Sequence, residues 1–269
     1  VGGGGVKLAV RDRGPKTAPA ALFVHGFTQS GLCFTPLFAE PRLAKLRLVS
    51  FDLRGHGRSG KPSDPRAFNA SRLWAEDVAA VIAKLKLVKP VLVGWSYGGL
   101  PIFDYVRHFG QGNVAGIVLI GAISKLEKTK PKKGSKLAKL MSGLFSEERQ
   151  ASLEAIEALS NLLTLRPLKP EIAAMLIGEM ARVKPEVRRA LLSRAIANDD
   201  LLPQIELPVL IVHGDRDAII PLQTAKRHRR LIPNAKITIY RGIGHMPFLE
   251  DQPRFCADLL AFVKSARAR

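Results

Sequence analysis

Short runs dominated by β-branched and other apolar residues recur at 21–25, 48–52, 90–94, 116–120, 209–213 and 236–240. Such runs predict strands covered on both faces, as in a parallel sheet. Between them, apolar residues return at every third or fourth position. Behind Ser71, read as an N-cap, Val78, Val81, Ile82 and Leu85 mark one helical face. Ile102, Tyr105, Val106 and Phe109 mark another, with Pro101 in the first turn, where an amide hydrogen has no internal partner. Further helices are predicted at 222–231 and at 253–266, the latter with a basic end that suits the helix dipole. Strand–helix alternation predicts an α/β fold, a doubly wound and mostly parallel sheet with right-handed crossovers.

The alternation lapses between 124 and 200, where no strand-like run occurs. Helices are expected there at 135–145, 146–163, 170–181 and 185–197, with Pro170 and Pro185 at first-turn positions. The expected organisation is a core of 1–123 and 201–269 with an all-helical insertion at 124–200.

Length and composition narrow the class. The 269 residues suit one large domain or two modest ones, and 46% hydrophobic residues exclude a disordered chain. No apolar run approaches the ~18 residues of a membrane span. The opening residues, Val1 and four glycines, lack the charged start and apolar stretch of a signal peptide, so the expected compartment is the cytoplasm. The missing initial Met leaves room for a removed leader. Two distant cysteines, Cys33 and Cys256, do not read as a disulfide framework, and Cys256 is expected to be a buried thiol. The net charge of +19 could attract polyanions. However, the basic residues are spread along the chain. The densest run, Lys125, Lys128, Lys130, Lys132, Lys133, Lys136 and Lys139, has no aromatic on which a base could stack. It reads as a solvated connection, and no specific nucleic-acid partner is expected.

Four motifs carry chemistry. Gly94-Trp95-Ser96-Tyr97-Gly98 stands directly after one strand and before a helix. A serine on so sharp a turn needs small neighbours, and the helix N-terminus favours developing negative charge. His25-Gly26-Phe27 ends an earlier strand, and its loop faces the elbow. The backbone N–H groups of Phe27 and Tyr97 can therefore hold an oxyanion. Asp217 follows the penultimate strand, and His245 follows the last. The order Ser96, Asp217, His245 is that of a Ser…Asp…His triad, with all three beyond carboxyl ends of strands. Asp215, nearer the strand end, is expected to fix the turn rather than to orient the histidine.

With these motifs, and with 52–60 (Asp52-Leu53-Arg54-Gly55-His56-Gly57-Arg58-Ser59-Gly60), Gly99 and Pro221, the sequence resembles the α/β-hydrolase family over nearly its whole length. The helical insertion resembles that family's cap. The pattern is similar to bacterial esterases and to the cofactor-free haloperoxidases and perhydrolases. Haloalkane dehalogenases and epoxide hydrolases share the fold but use an Asp nucleophile, where this chain has Ser96.

The expected activity is cofactor-independent hydrolysis of neutral, apolar esters of small to medium size through an acyl-enzyme on Ser96. Trp95, Met141, Phe145 and Met246 are the candidate pocket residues. The same triad would serve perhydrolysis or carbon–carbon bond hydrolysis, and the fold alone would also serve a non-catalytic binder. The other histidines have structural readings: His25 and His56 hold loops, His213 is buried, and His108 and His228 are solvated. No HExxH, Cys/His cluster, P-loop or Rossmann fingerprint occurs, so no metal and no nucleotide cofactor is expected.

Overall fold

The computed structural model describes residues 1–126 and 134–268. Lys128, Lys130, Lys132 and Lys133 of the basic run lie outside the described residues. Among the described residues, seven strands form one sheet: β1 (Val10–Arg13), β2 (Ala20–Val24), β3 (Arg47–Phe51), β4 (Val91–Trp95), β5 (Gly116–Ile120), β6 (Val209–Gly214) and β7 (Ala235–Tyr240). Their order is β1-β3-β2-β4-β5-β6-β7, and every neighbouring pair is parallel except β1 with β3. The sheet is thus the doubly wound α/β arrangement that the apolar runs predict.

The central strands alternate between two cores, which is why their sequences are apolar at both parities. Leu22, Val24, Leu92, Ile117, Leu119 and Ile211 enter one core with the helices Ser71–Lys84 and Gly99–Phe109. Phe23, Val93, Val118, Ile120, Leu210 and Val212 enter the other, with Phe255, Leu259 and Val263 of the helix Gln252–Arg267. Burying a branched apolar side chain contributes roughly 1.5–3 kcal/mol. These layers therefore hold the strand ends, and whatever follows them, in fixed register.

Among the described residues, four α-helices lie between β5 and β6: Lys136–Leu144, Arg149–Ser160, Pro170–Ala181 and Pro185–Leu192. Ser135 caps the first by accepting from Ala138 N. Glu148 caps the second, accepting from Gln150 N and Ala151 N, so that helix begins three residues later than the expected 146. The fourth stops at Leu192, short of the expected 197, because the chain there is drawn into other contacts. Arg194 turns inward to pair with Asp104 at 2.6 Å, and Leu126 N donates to Ile196 O at 3.0 Å as the entry and exit of the insertion meet. Part of the positive charge is therefore internal. Arg194 is buried with its guanidinium over the Trp74 ring. Arg188, also buried, donates to Leu144 O and Met180 O in the last turns of two helices, where their dipoles favour a cation.

Three expectations on polar residues need correction. Ser71 is not an N-cap: Ala70 takes that position, and the Ser71 hydroxyl instead meets His108 Nε2 at 2.8 Å, so His108 is hydrogen-bonded rather than simply solvated. His228 is not solvated either. It lies on the inner face of the helix Leu222–Leu231, 1% exposed, with Nε2 2.9 Å from Ser124 Oγ. Its basic neighbours Arg229 and Arg230 occupy the outer face. No helix among the described residues is long and apolar enough to cross a membrane.

Buried histidines make acid the weak flank of this fold. Burial holds His25 down to about 4, His56 to about 3 and His228 to about 4, against an ordinary 6.5. An unfolded chain takes up these protons from about pH 6.5 downward, while the native chain refuses them until much lower pH. Stability is therefore full above about 6.5 and falls as the pH drops toward 4, by on the order of 1–2 kcal/mol per ring at pH 5. Urea unfolding at pH 7 and pH 5 is expected to show a clearly lower midpoint at pH 5. Equal midpoints would mean that the native rings take up protons as readily as the unfolded chain does.

Candidate active site

β4 ends at Trp95, and Ser96 follows with φ of 56°, in the left-handed region that a β-substituted residue enters only under constraint. The constraint is close packing. A Cβ at Gly98 would lie 2.1 Å from Val24 O, so only glycine lets the elbow press against the end of β2. The chain then enters the helix Gly99–Phe109, and Ser96 O accepts from Ile123 N at 3.2 Å. Ser96 is 8% exposed, at the carboxyl end of the sheet.

The loop after β6 presents Asp217. Its Oδ1 accepts from Ile219 N and Ile220 N, both at 2.8 Å, and its Oδ2 faces His245 Nδ1 at 2.6 Å. Burial alone would raise the Asp217 pKa. The His245 hydrogen bond and charge, with the two amides, outweigh it and hold the carboxyl below its usual range. A carboxylate needs a donor, so Nδ1 carries a hydrogen, and in the neutral ring Nε2 then keeps its lone pair. His213 is buried beside them, its Nε2 donating to Ile220 O at 2.9 Å and 3.4 Å from Asp217 Oδ2. Asp215 is exposed and ties its turn to the β7 exit by accepting from Gly242 N at 2.7 Å.

His245 is held along its backbone as well. Its N–H donates to Leu163 O at 3.0 Å, and its carbonyl accepts from Trp95 Nε1 at 2.9 Å. The Trp95 indole thus bridges the elbow and the histidine loop, with its ring 5.5 Å from that of His245. No hydrogen bond among those described joins Ser96 Oγ to His245; such contacts often close only around substrate.

The loop after β2 lies against the elbow: a Cβ at Gly26 would be 3.1 Å from Ser96 Cβ. Thr28, at φ of 59°, sets the turn, and its hydroxyl donates to Phe27 O at 2.7 Å. The Phe27 and Tyr97 rings lie 6.4 Å apart. Neither residue's amide hydrogen is taken by a protein acceptor among the described hydrogen bonds. His25 is occupied structurally, its Nδ1 donating to Gly26 O and its Nε2 accepting from Leu53 N. His56 likewise donates to Arg54 O.

Of the candidate pocket residues, Trp95 and Met246 are almost fully buried. Met141 and Phe145 lie on the insertion, half-buried against the same apolar cluster. Sequence reasoning missed Gly121, which follows β5 at φ of 48°. A Cβ there would stand 3.0 Å from His245 Nδ1 and 3.1 Å from Asp217 Oδ2. A lone glycine after a strand was the only signal. Among the described residues no group of three or more His, Cys, Asp or Glu could hold a metal. A cleft of about 500 Å³ beside Val88, Gln111 and Leu207 opens at the amino ends of β4, β5 and β6, the opposite end of the sheet from Ser96.

Comparison with known proteins gives concordant results. Residues 19–252 match the family described as alpha/beta hydrolase fold. A solved structure of a provisionally assigned aryl esterase from Burkholderia cenocepacia superposes with a TM-score of 0.93 at 32% identity, covering 100% of this chain and 98% of that one. The esterase RhEst1 from Rhodococcus sp. ECU1013 superposes at 0.87 with 34% identity, covering 99% and 98%. Among curated sequences, the bifunctional esterase/perhydrolase DCH of Acinetobacter calcoaceticus is 30% identical over 97% of each chain.

Proposed function

The chain belongs to the α/β-hydrolase fold family, and from that premise we propose that it is a serine hydrolase cleaving carboxylic esters through an acyl-enzyme on Ser96. The observation that carries this reading is the strained Ser96 elbow facing loops that hold Asp217 and His245 2.6 Å apart. In the proposed cycle His245 Nε2 takes the Ser96 proton as Oγ attacks the carbonyl carbon. Asp217 keeps the ring in the required tautomer and stabilises its charged form. The amide hydrogens of Phe27 and Tyr97 receive the oxyanion. The tetrahedral intermediate expels the alcohol, which leaves with the proton from His245. Water, deprotonated by the same ring, then releases the acid and restores Ser96.

We take 124–200 as a cap over a core of 1–123 and 201–269, and the cap as one wall of the substrate site. Its half-buried Leu140, Met141, Phe145 and Met175 pack toward the cluster that contains Trp95 and Met246, which supports an apolar acyl or alcohol pocket. Neutral, apolar esters of small to medium size are therefore the expected substrates, with no cofactor and no nucleic-acid partner. Cys33 and Cys256, both buried free thiols, suit a cytoplasmic chain.

Perhydrolysis is the second reading, favoured by the name of the Acinetobacter relative, since hydrogen peroxide can replace water in the second step. A panel of 4-nitrophenyl esters of increasing acyl length, with an anionic hemisuccinate beside them, tests substrate class. Neutral short and medium esters are expected to exceed the hemisuccinate by at least about tenfold in kcat/KM, a modest pocket effect. A preference for the anionic ester would overturn the apolar pocket. Acetate, bromide and peroxide on the same preparation report peracid formation.

Gly121→Ala tests the triad through a residue that touches no substrate. The new Cβ demands an unfavourable φ and presses on the Asp217–His245 pair. A displacement of well under 1 Å in such a pair is expected to lower kcat about 10- to 100-fold, with KM little changed. Wild-type kcat in a folded Gly121→Ala protein would overturn the expected sensitivity of turnover to the placement of the Asp217–His245 pair.

A further inference from the structure

One carboxylate beside the histidine loop serves two distant backbone segments at once. Glu250 closes the one-turn helix Pro247–Glu250 that directly follows His245 and Met246. Its Oε1 accepts from Gly244 N at 2.9 Å, and its Oε2 accepts from Leu165 N at 2.8 Å. Leu165 lies in the linker between the helices Arg149–Ser160 and Pro170–Ala181, two residues after Leu163, whose carbonyl receives the His245 amide hydrogen at 3.0 Å. The linker and the histidine loop are therefore laced by one carboxylate and one backbone bond. Gly244 makes the lacing possible: a Cβ there would lie 2.8 Å from Leu165 N and 3.0 Å from Glu250 Oε1.

We infer that Glu250 is a positioning residue for His245, registering the histidine loop against the cap so that the imidazole keeps its place between Asp217 and Ser96. This rests on the assignment of His245 as the catalytic base. The backbone of His245 has few other restraints among the described contacts: Trp95 Nε1 on its carbonyl and Leu163 O on its amide. The second of these depends on the linker, and Glu250 holds the linker. Hydrogen bonds to a charged acceptor are stronger than neutral ones, so a single glutamate here can outweigh a pair of ordinary side-chain contacts. The cap, on this reading, completes the catalytic apparatus as well as covering it.

Glu250→Gln and Glu250→Ala in the full chain test the assignment. Glutamine keeps the shape but offers only one good acceptor, so either Gly244 N or Leu165 N must lose its partner. Alanine releases both. The expected result is a kcat lowered about tenfold by glutamine and about 30- to 100-fold by alanine, with KM within about threefold of wild type. The second readout is the downfield proton of the His245 Nδ1–H···Asp217 hydrogen bond in the NMR spectrum, expected to shift or broaden in both variants. A stabilising tie of no catalytic consequence would lower the melting temperature and leave kcat per folded molecule and that proton unchanged. Either readout staying at its wild-type value in Glu250→Ala overturns the positioning role. If the wild-type protein cleaves no ester, it is the ester reading that fails, and the proton alone decides whether Glu250 places His245.

Discussion

Replacing Ser96 by alanine is expected to lower ester hydrolysis by at least about 10⁴-fold, because loss of the nucleophile in a triad leaves only binding and oxyanion stabilisation. The fold should survive the change. The Ser96 hydroxyl takes no part in the described hydrogen bonds, and the residue is 8% exposed. Alanine carries the same Cβ as serine, so the strain at φ of 56° is neither relieved nor increased. Thermal unfolding within a few degrees of wild type, beside absent turnover, is the expected pair of results. An organophosphonate should label the wild-type protein once, on the peptide containing Ser96, and leave Ser96→Ala unlabelled. Turnover that persists in a preparation free of host esterases would mean that another group attacks the carbonyl.

The elbow could be recognised in the sequence because its demands are local. A serine between two glycines at a strand–helix junction is a short-range pattern, and so are an Asp and a His in the loops that follow two strands. The central strands were legible for a similar reason: burial on both faces makes them apolar at every parity. β1 was not. Its Val10, Arg11, Asp12 and Arg13 form the antiparallel edge of the sheet, half open to solvent, and it is secured by the Asp12–Arg47 pair at 2.8 Å rather than by an apolar run. The helix expected at 185–197 was overextended because helical periodicity carries no mark of Arg194 turning toward Asp104, which lies 90 residues earlier. His228 was misread because its charged neighbours advertise solvent while its own position on the helix faces Ser124. In the site, Gly121, the Leu163 carbonyl, Glu250 and the Trp95–His245 bridge escaped for the same reason. They act only through contacts between segments far apart in sequence, and a backbone carbonyl leaves no trace in residue type.

Asp217→Asn is expected to lower kcat by about 10⁴-fold, the cost of amidating the acid of such a triad. The isosteric change leaves the shape of the loop intact, so the effect is electronic and tautomeric. An amide oriented to satisfy Ile219 N and Ile220 N through its oxygen must turn its NH₂ toward His245 Nδ1. The ring can then pair with it only by accepting, which moves its hydrogen to Nε2 and removes the lone pair that should receive the Ser96 proton. The alternative flip keeps the tautomer and leaves the Ile219 and Ile220 amides facing a donor, at a cost of about 1–3 kcal/mol for each unsatisfied group. Neither arrangement restores a negative charge beside the imidazolium that forms during attack. Asp215→Asn provides the contrast. Asp215 is exposed and accepts from Gly242 N, and an asparagine oxygen can still accept that bond, so turnover within about threefold of wild type is expected. Measured on one neutral ester at one pH, the two variants should therefore differ by more than about a thousandfold. The reverse ranking, with Asp215→Asn inactive and Asp217→Asn near normal, would transfer the role to Asp215 and require a loop conformation in which the 2.6 Å contact between Asp217 and His245 is not the working one.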